Sequence, residues 1–285
     1  MSLWFFVSDL HGHPSRYEKL FYLIHQEKPQ VVLLGGDLLP SEHFYPASKV
    51  NTSFIHSVLY DGFESVKARL SSAYPRVLLI MGNDDVRAEE KELEEGQAHG
   101  LWSDIHLRKV ECGNFIVYGY AYVPPTPFLL KDWERYDVSR FVDVGCIAPE
   151  EGWRSIPIPM EDSKYATIQN DLDVLTHNSD LSQAIFLFHA PPHHTALDQA
   201  ALASKTIDNV PLDTHIGSIA IRRFIEKRQP LITLHGHVHE SVRLSGCWCE
   251  QIGHTWIYSA AHDGEELALV RFDPTRPDKA SRSLI

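Results

Sequence analysis

The 285-residue chain carries 38 acidic against 26 basic side chains, a formal charge of −12, and its 44% hydrophobic and 11% aromatic content is that of a folded protein, not a disordered one. That acidity argues against broad nucleic-acid binding, which needs a basic face, and against docking on anionic membranes. It leaves open a small anionic substrate whose charge is offset by metal ions. No run approaches the ~18 apolar residues of a membrane span, the N-terminal MSLWFFVSDLHG has no basic leader, and Cys112, Cys146, Cys247 and Cys249 lack C-x-x-C spacing, so a cytoplasmic protein with reduced thiols is expected.

In chain order, LWFFVSD is a buried strand that delivers Asp9, and Pro14-Ser15-Arg16 opens a helix with Tyr17, Leu20, Phe21, Leu23 and Ile24 on its apolar side. VVLLGGD at 31–37 is a second apolar strand ending in Asp37. A helix is expected from about Thr52 to Ala73, with Ile55, Leu59, Phe63, Val66 and Leu70 on one stripe. RVLLIMGNDD at 76–85 repeats the strand pattern, and residues 86–95 are charged and expected to be helical. Three strand–loop–helix units in 95 residues predict an α/β sheet of parallel strands, with ligands beyond the strands' carboxyl ends.

Residues 106–123 alternate around a Cys112-Gly113-Asn114 turn and read as a hairpin. Residues 121–162 follow as an insertion or long loop, rich in proline, with Tyr122, Phe128, Trp133, Arg135 and Tyr136; part of it is expected to border the substrate. A helix from about Tyr165 to His177 precedes the strand AIFLFH at 184–189, and a helix over Ile216–Arg228 precedes LITLHGHVHE at 231–240. Further strands are expected near 241–247, 255–259 and 267–272, with Cys247 and Cys249 on one side of a strand and a frayed tail after Asp273.

The chain has 17 histidines, and those that matter stand at strand ends. In order, the strand ends carry Asp9-Leu10-His11, Gly36-Asp37, Gly82-Asn83-Asp84-Asp85, His189 and Gly236-His237-Val238-His239. Oxygen and nitrogen donors without thiolates suit Mn, Fe or Zn. Each block alone is weak, because an aspartate after a strand often only caps the next helix. Five blocks in this order are not weak. His13, His193, His194 and His262 are expected near the site or on the surface, His235 is expected to point away, and Asp198 to fix its own loop.

The five blocks resemble the calcineurin-like metallophosphoesterases, whose pattern runs D-x-H, G-D, G-N-H-D/E, H and G-H-x-H. The match spans residues 9–239, and HAPPHHTALD and HGHVHES are similar to a bacterial branch of that family. The resemblance implies one domain over residues 1–285, folded as a four-layer αββα sandwich of two mixed β-sheets flanked by helices. It implies two divalent metal ions, one on Asp9, His11, Asp37 and His239, the other on Asp37, Asn83, His189 and His237, and attack by a bridging hydroxide on a small phosphate ester. His11, Asp84 and Asp85 are the candidate catalytic side chains.

One block departs from the pattern: Asp84 stands where the family has the histidine that protonates the leaving group. Dications would keep Asp84 ionised, although neighbouring Asp85 pushes one of the pair upward. An ionised Asp84 disfavours dianionic monoesters, so a phosphodiester substrate is expected. The alternatives are a specificity role for Asp84, or a catalytically weak binding scaffold on the same fold.

Overall fold

The computed structural model describes residues 2–41, 53–202 and 213–285, together with the backbone at 206–207 and 210–211. It opens with β1 (Trp4–Val7), α1 (Pro14–Glu27), β2 (Val31–Gly35), α2 (Asp61–Leu70), β3 (Arg76–Ile80), α3 (Glu90–Ala98), β4 (Ser103–Asp104), β5 (Lys109–Cys112) and β6 (Phe115–Tyr120). There follow α4 (Met160–Tyr165), α5 (Ile168–Leu175), β7 (Ala184–Phe188), β8 (Thr206–Ile207), β9 (Val210–Pro211), α6 (Ile219–Arg228) and β10 (Ile232–His235). The chain closes with α7 (Ser241–Ser245), β11 (Cys249–Ile252), β12 (Thr255–Ser259), β13 (Ala268–Phe272) and β14 (Ser281–Leu284).

The strands build two six-stranded mixed sheets, in the orders β14-β13-β1-β2-β3-β4 and β11-β12-β10-β7-β6-β5. In the first, β1 through β4 run parallel, β13 pairs antiparallel with β1, and β14 pairs antiparallel with β13; in the second, β6, β7, β10 and β12 run parallel between antiparallel β5 and β11. The sheets meet face to face, β2 against β7 and β3 against β6, and α1 packs on α2 as α5 does on α6. This is the four-layer αββα sandwich that the motif order implies. Strands β1, β2, β7 and β10 are buried along their whole length, as central strands covered on both sides must be. Each fully buried Phe or Leu there is worth ~1.5–3 kcal/mol over its exposed state.

Several expectations need correction. Residues 241–245 form the short helix α7, closed by Gly246 in the left-handed conformation at φ 72°, not a strand. Strand β11 starts only at Cys249, so Cys247 does not share a strand face with it; the Cys247 thiol instead donates to the Cys249 carbonyl at 2.7 Å. The tail after Asp273 is not frayed, because β14 pairs with the open edge of β13; backbone pairing asks little of the side chains, and Ser281-Arg282-Ser283-Leu284 hid it. The helix expected over 165–177 is present as α5 but starts later, at Ile168, where the Thr167 hydroxyl accepts the Asn170 amide at 3.1 Å and caps it; the separate helix α4 ends at Tyr165. The Ser218 hydroxyl caps α6 in the same way, so that helix begins at Ile219, not Ile216. Of the helix expected over 52–73, Thr52 lies outside the described residues, and a π-helical turn at Ile55–Tyr60 leads into α2. Among the described residues, no helix is long and apolar enough to cross a membrane.

Candidate metal centre

All five motif blocks lie at the carboxyl ends of parallel strands, Asp9 after β1, Asp37 after β2, Asn83 after β3, His189 after β7, and His237 and His239 after β10. The loops are zipped together by backbone hydrogen bonds. The Asp9, His11 and Gly12 amides donate to the Gly36, Asp37 and Leu38 carbonyls at 2.8–3.0 Å, and the Gly236 amide donates to the His189 carbonyl at 2.9 Å. Four of the side chains sit on left-handed backbone: Asp9 at φ 55°, His11 at 45°, Asp37 at 51° and His237 at 71°. Such positions cost ~1–3 kcal/mol each for residues with a Cβ and cluster at functional sites.

Ligand atoms of Asp9, His11, Asp37 and His239 all lie within 4.8 Å of one another. The His11 and His239 Nε2 atoms approach to 2.9 Å, and His11 Nε2 is 3.8 Å from Asp37 Oδ2. Asp9 receives the His237 amide on Oδ1 at 2.9 Å, while its Oδ2 is buried without a hydrogen-bond partner among the described residues. An orphaned carboxylate oxygen beside two converging imidazole nitrogens is a donor set short of a cation, so these four residues fit a divalent metal.

The second set converges on Asp37. His189 Nε2 stands 3.2 Å from Asp37 Oδ2 and 3.1 Å from Asn83 Oδ1, and its Nδ1 donates to the Gly35 carbonyl at 2.8 Å. That outer bond fixes the tautomer and presents Nε2 to the centre, as metal-ligating histidines require. His237 joins through a ring contact of 5.2 Å with His189. Asp37 therefore belongs to both sets, and its Oδ1 accepts the Asp84 amide at 2.8 Å.

The electrostatics follow from burial and pairing. Burial opposes the charge on Asp37, yet His189 and His11 beside it hold its carboxyl well below the usual range. Burial likewise opposes a charged His189, and Asp37 overrides it, raising the imidazole to about 10. His239 is pulled up to about 8 against its burial by Asp9, whereas burial and the charge of His189 press His237 down to about 3.

The motif glycines have a direct steric reason. A Cβ on Gly82 would stand 2.3 Å from Asp37 Oδ1 and 2.7 Å from His189 Nε2; one on Gly36 would stand 2.6 Å from His189 Nδ1; and one on Gly236 would stand 2.7 Å from Asp9 Oδ2.

The structure divides the two aspartates of G-N-D-D. Asp84 faces the site: its Oδ2 is 3.6 Å from His11 Nδ1, and 30% of its side chain is exposed. Asp85, expected beside the reacting atoms, is fully buried, and its oxygens accept the Leu38, Leu39 and Gly82 amides at 2.8–3.1 Å. Burial, helped by the charge of Asp37, pushes its carboxyl up to about 8 against those three donors. It ties the Asp37 loop to the Asn83 loop and stands apart from the metal ligands. His235 does turn away, with Nδ1 2.8 Å from the Ala190 carbonyl and Nε2 2.7 Å from the Thr233 hydroxyl. Asp198 fixes its loop by accepting the His194, Thr195 and Gly217 amides and binding His215 Nδ1 at 2.8 Å. The motif reading missed Arg16, which reaches from the buried side of α1 to the Asp9 carbonyl at 2.5 Å; an arginine inside an apolar helix stripe was the available signal.

Residues 5–241 match the family model described as calcineurin-like phosphoesterase. No curated protein matches the sequence. Among solved structures, TT1561 of Thermus thermophilus is similar with a TM-score of 0.57 and 16% identity, over 99% of this chain and 98% of that one. A dimetal phosphatase from Danio rerio is similar with a TM-score of 0.51 and 13% identity, over 100% of this chain and 98% of that one. At these identities the likeness is one of fold.

Proposed function

The chain belongs to the calcineurin-like phosphoesterase family, and on that premise we propose that it is a phosphoric ester hydrolase holding two divalent cations, Mn, Fe or Zn, and preferring phosphodiesters. The observation that carries this reading is the convergence of Asp9, His11, Asp37 and His239 within 4.8 Å, with His189 also against Asp37 Oδ2 at 3.2 Å and Asn83 Oδ1 3.1 Å from the same His189 nitrogen. The similar fold of a protein described as a dimetal phosphatase supports two ions over one. Bound there, divalent cations supply Lewis acidity toward a phosphoryl oxygen and lower the pKa of water.

The chain's own residues do the rest. Asp37 is the shared carboxylate, held by the Asp84 amide. Asp85 keeps the loops of Asp37 and Asn83 in register through three backbone amides. Asp84 adds negative charge beside His11, at the partly exposed side of the cluster. Asp9, Asp37 and Asp84 bring three negative charges against four positive from two divalent ions. A diester's single charge neutralises the remainder, while a dianionic monoester overshoots it. At ~4 Å one such charge is worth roughly 1–4 kcal/mol, about fivefold to several hundredfold in rate.

Asp84→His should therefore raise kcat/KM for p-nitrophenyl phosphate relative to bis(p-nitrophenyl) phosphate by about tenfold, since the variant lacks the carboxylate charge that opposes the monoester's second negative charge. An unchanged ratio, or a shift toward the diester, removes Asp84 from this role. The missing histidine at position 84 is compatible with the second reading, a catalytically weak or inactive binding scaffold on the same fold. Failure of the native chain to cleave either ester with Mn²⁺, Fe²⁺ or Zn²⁺ would count for that reading and against the hydrolase.

A further inference from the structure

Beside the metal centre, at the same carboxyl edge, two guanidinium groups converge on one phenol. Arg87 Nη1 and Arg135 Nη2 each donate to the Tyr122 hydroxyl at 3.3 Å. The Arg87 guanidinium lies 5.1 Å above the Trp133 ring, and that of Arg135 lies 4.2 Å above the Tyr122 ring. Outer bonds hold both in place, Arg87 Nε to Glu90 at 3.1 Å and Arg135 Nη1 to Asp171 at 3.3 Å. The Arg87 amide is anchored on Asp132 at 2.8 Å, which places this part of the 121–162 segment against the β3–α3 loop.

Two further donors gather here without acceptors. The Ala121 amide donates to His106 Nδ1 at 3.0 Å, so the imidazole proton is on Nε2, and that atom is buried with no partner among the described residues. The Trp133 indole N–H is buried without a partner as well. Ring contacts of 4.8 Å to Tyr122 and 5.1 Å to Trp133 seat His106 in the same cluster. Each guanidinium commits one edge to a carboxylate, Arg87 to Glu90 and Arg135 to Asp171, and one N–H to the Tyr122 hydroxyl; the N–H groups left over, Nη2 of Arg87 and Nε of Arg135, take no part in those bonds and lie on partly exposed side chains where an anion can complete them.

Arg87 follows Asp84 by three residues, at most ~11 Å along the chain. Tyr122 follows Tyr120 by two, and the Tyr120 carbonyl accepts the His189 amide at 3.2 Å. Both arginines are open to solvent, at 26% and 19% exposure. We propose that Arg87 and Arg135, positioned by Tyr122, bind a second phosphate group of the substrate, so that the preferred ester carries another phosphate beyond the scissile one. A planar guanidinium fork matches phosphate oxygens in pairs, which a lysine would not. This inference rests on the phosphoesterase reading of the metal centre.

Calorimetry on the Mn²⁺-loaded 285-residue chain separates the two. Propylphosphonate reports the metal centre alone, and propane-1,3-bisphosphonate reports both sites. The native chain should bind the bisphosphonate at least tenfold more tightly, and Arg87→Gln and Arg135→Gln should each bring that ratio to within threefold of one. If propylphosphonate binds but the bisphosphonate has no advantage, the arginine subsite is wrong and the metal centre stands. If neither binds, both fail. An advantage that persists in both variants means that the ions alone take the second phosphonate, and this also overturns the proposal. Should either glutamine variant melt early without ligand, Arg135→Lys takes its place and should show an intermediate ratio; a native ratio in Arg135→Lys counts against the fork.

Discussion

Replacing Asp37 by Asn should lower kcat/KM on a diester by at least about a thousandfold. Losing even an outer-shell partner of a metal ligand typically costs 10–100-fold in metal affinity or activity, and a carboxylate shared by two ions has more to lose. The amide keeps an acceptor for the Asp84 amide, now 2.8 Å from Oδ1, so the loop should hold its shape. What disappears is the negative charge that raises His189 to about 10 and faces His11 at 3.8 Å. The variant should still fold, and its metal content after purification should fall with its activity. Native-like turnover in a metal-loaded Asp37→Asn protein would mean that Asp37 is not the shared ligand.

Gly82→Ala should give the next largest loss, although it replaces no ligand. The new methyl would stand 2.4 Å from the Asp37 amide nitrogen as well as 2.3 Å from Oδ1, and the backbone cannot yield as a flexible side chain can. Overpacking of this kind costs ~1–3 kcal/mol of stability, and displacing Asp37 and His189 together should cut activity by about a hundredfold or more. Gly113→Asn is the control for a glycine with free space around it. Unlike Gly82, Gly113 has a left-handed φ, 62°, which asparagine tolerates, and nothing lies within 4 Å of the added carbon. A melting temperature and a diester kcat/KM for both variants decide the matter. If the two lose equally little, steric crowding at Asp37 does not explain the glycine of the third block.

Much of this was legible in the sequence because central strands of an α/β sheet are nearly pure apolar runs, and the residue that ends each run falls at the sheet's carboxyl edge. That rule located Asp9, Asp37, Asn83, His189, His237 and His239 without coordinates. The runs could not say that Asp84 and Asp85, adjacent in sequence, face different ways, because a loop has no period from which to read a direction. Asp85 turned inward because three backbone amides needed acceptors. The strand β14 was hidden for a related reason, since its pairing is carried by the backbone. The cluster of Arg87, Tyr122, Trp133 and Arg135 joins residues up to 48 positions apart in the chain, and only the fold brings them together.

The proposed site for two metal ions at the strand ends is tested most directly by Mn²⁺ titration of the chelator-stripped protein by calorimetry, run in parallel on the native chain and on Asp37→Asn, with diester hydrolysis followed at each addition. Two ions should bind per native chain, hydrolysis should appear as the second is bound, and both should be lost in the variant. Hydrolysis by the stripped native protein, or full Mn²⁺ binding by Asp37→Asn, would contradict the shared site.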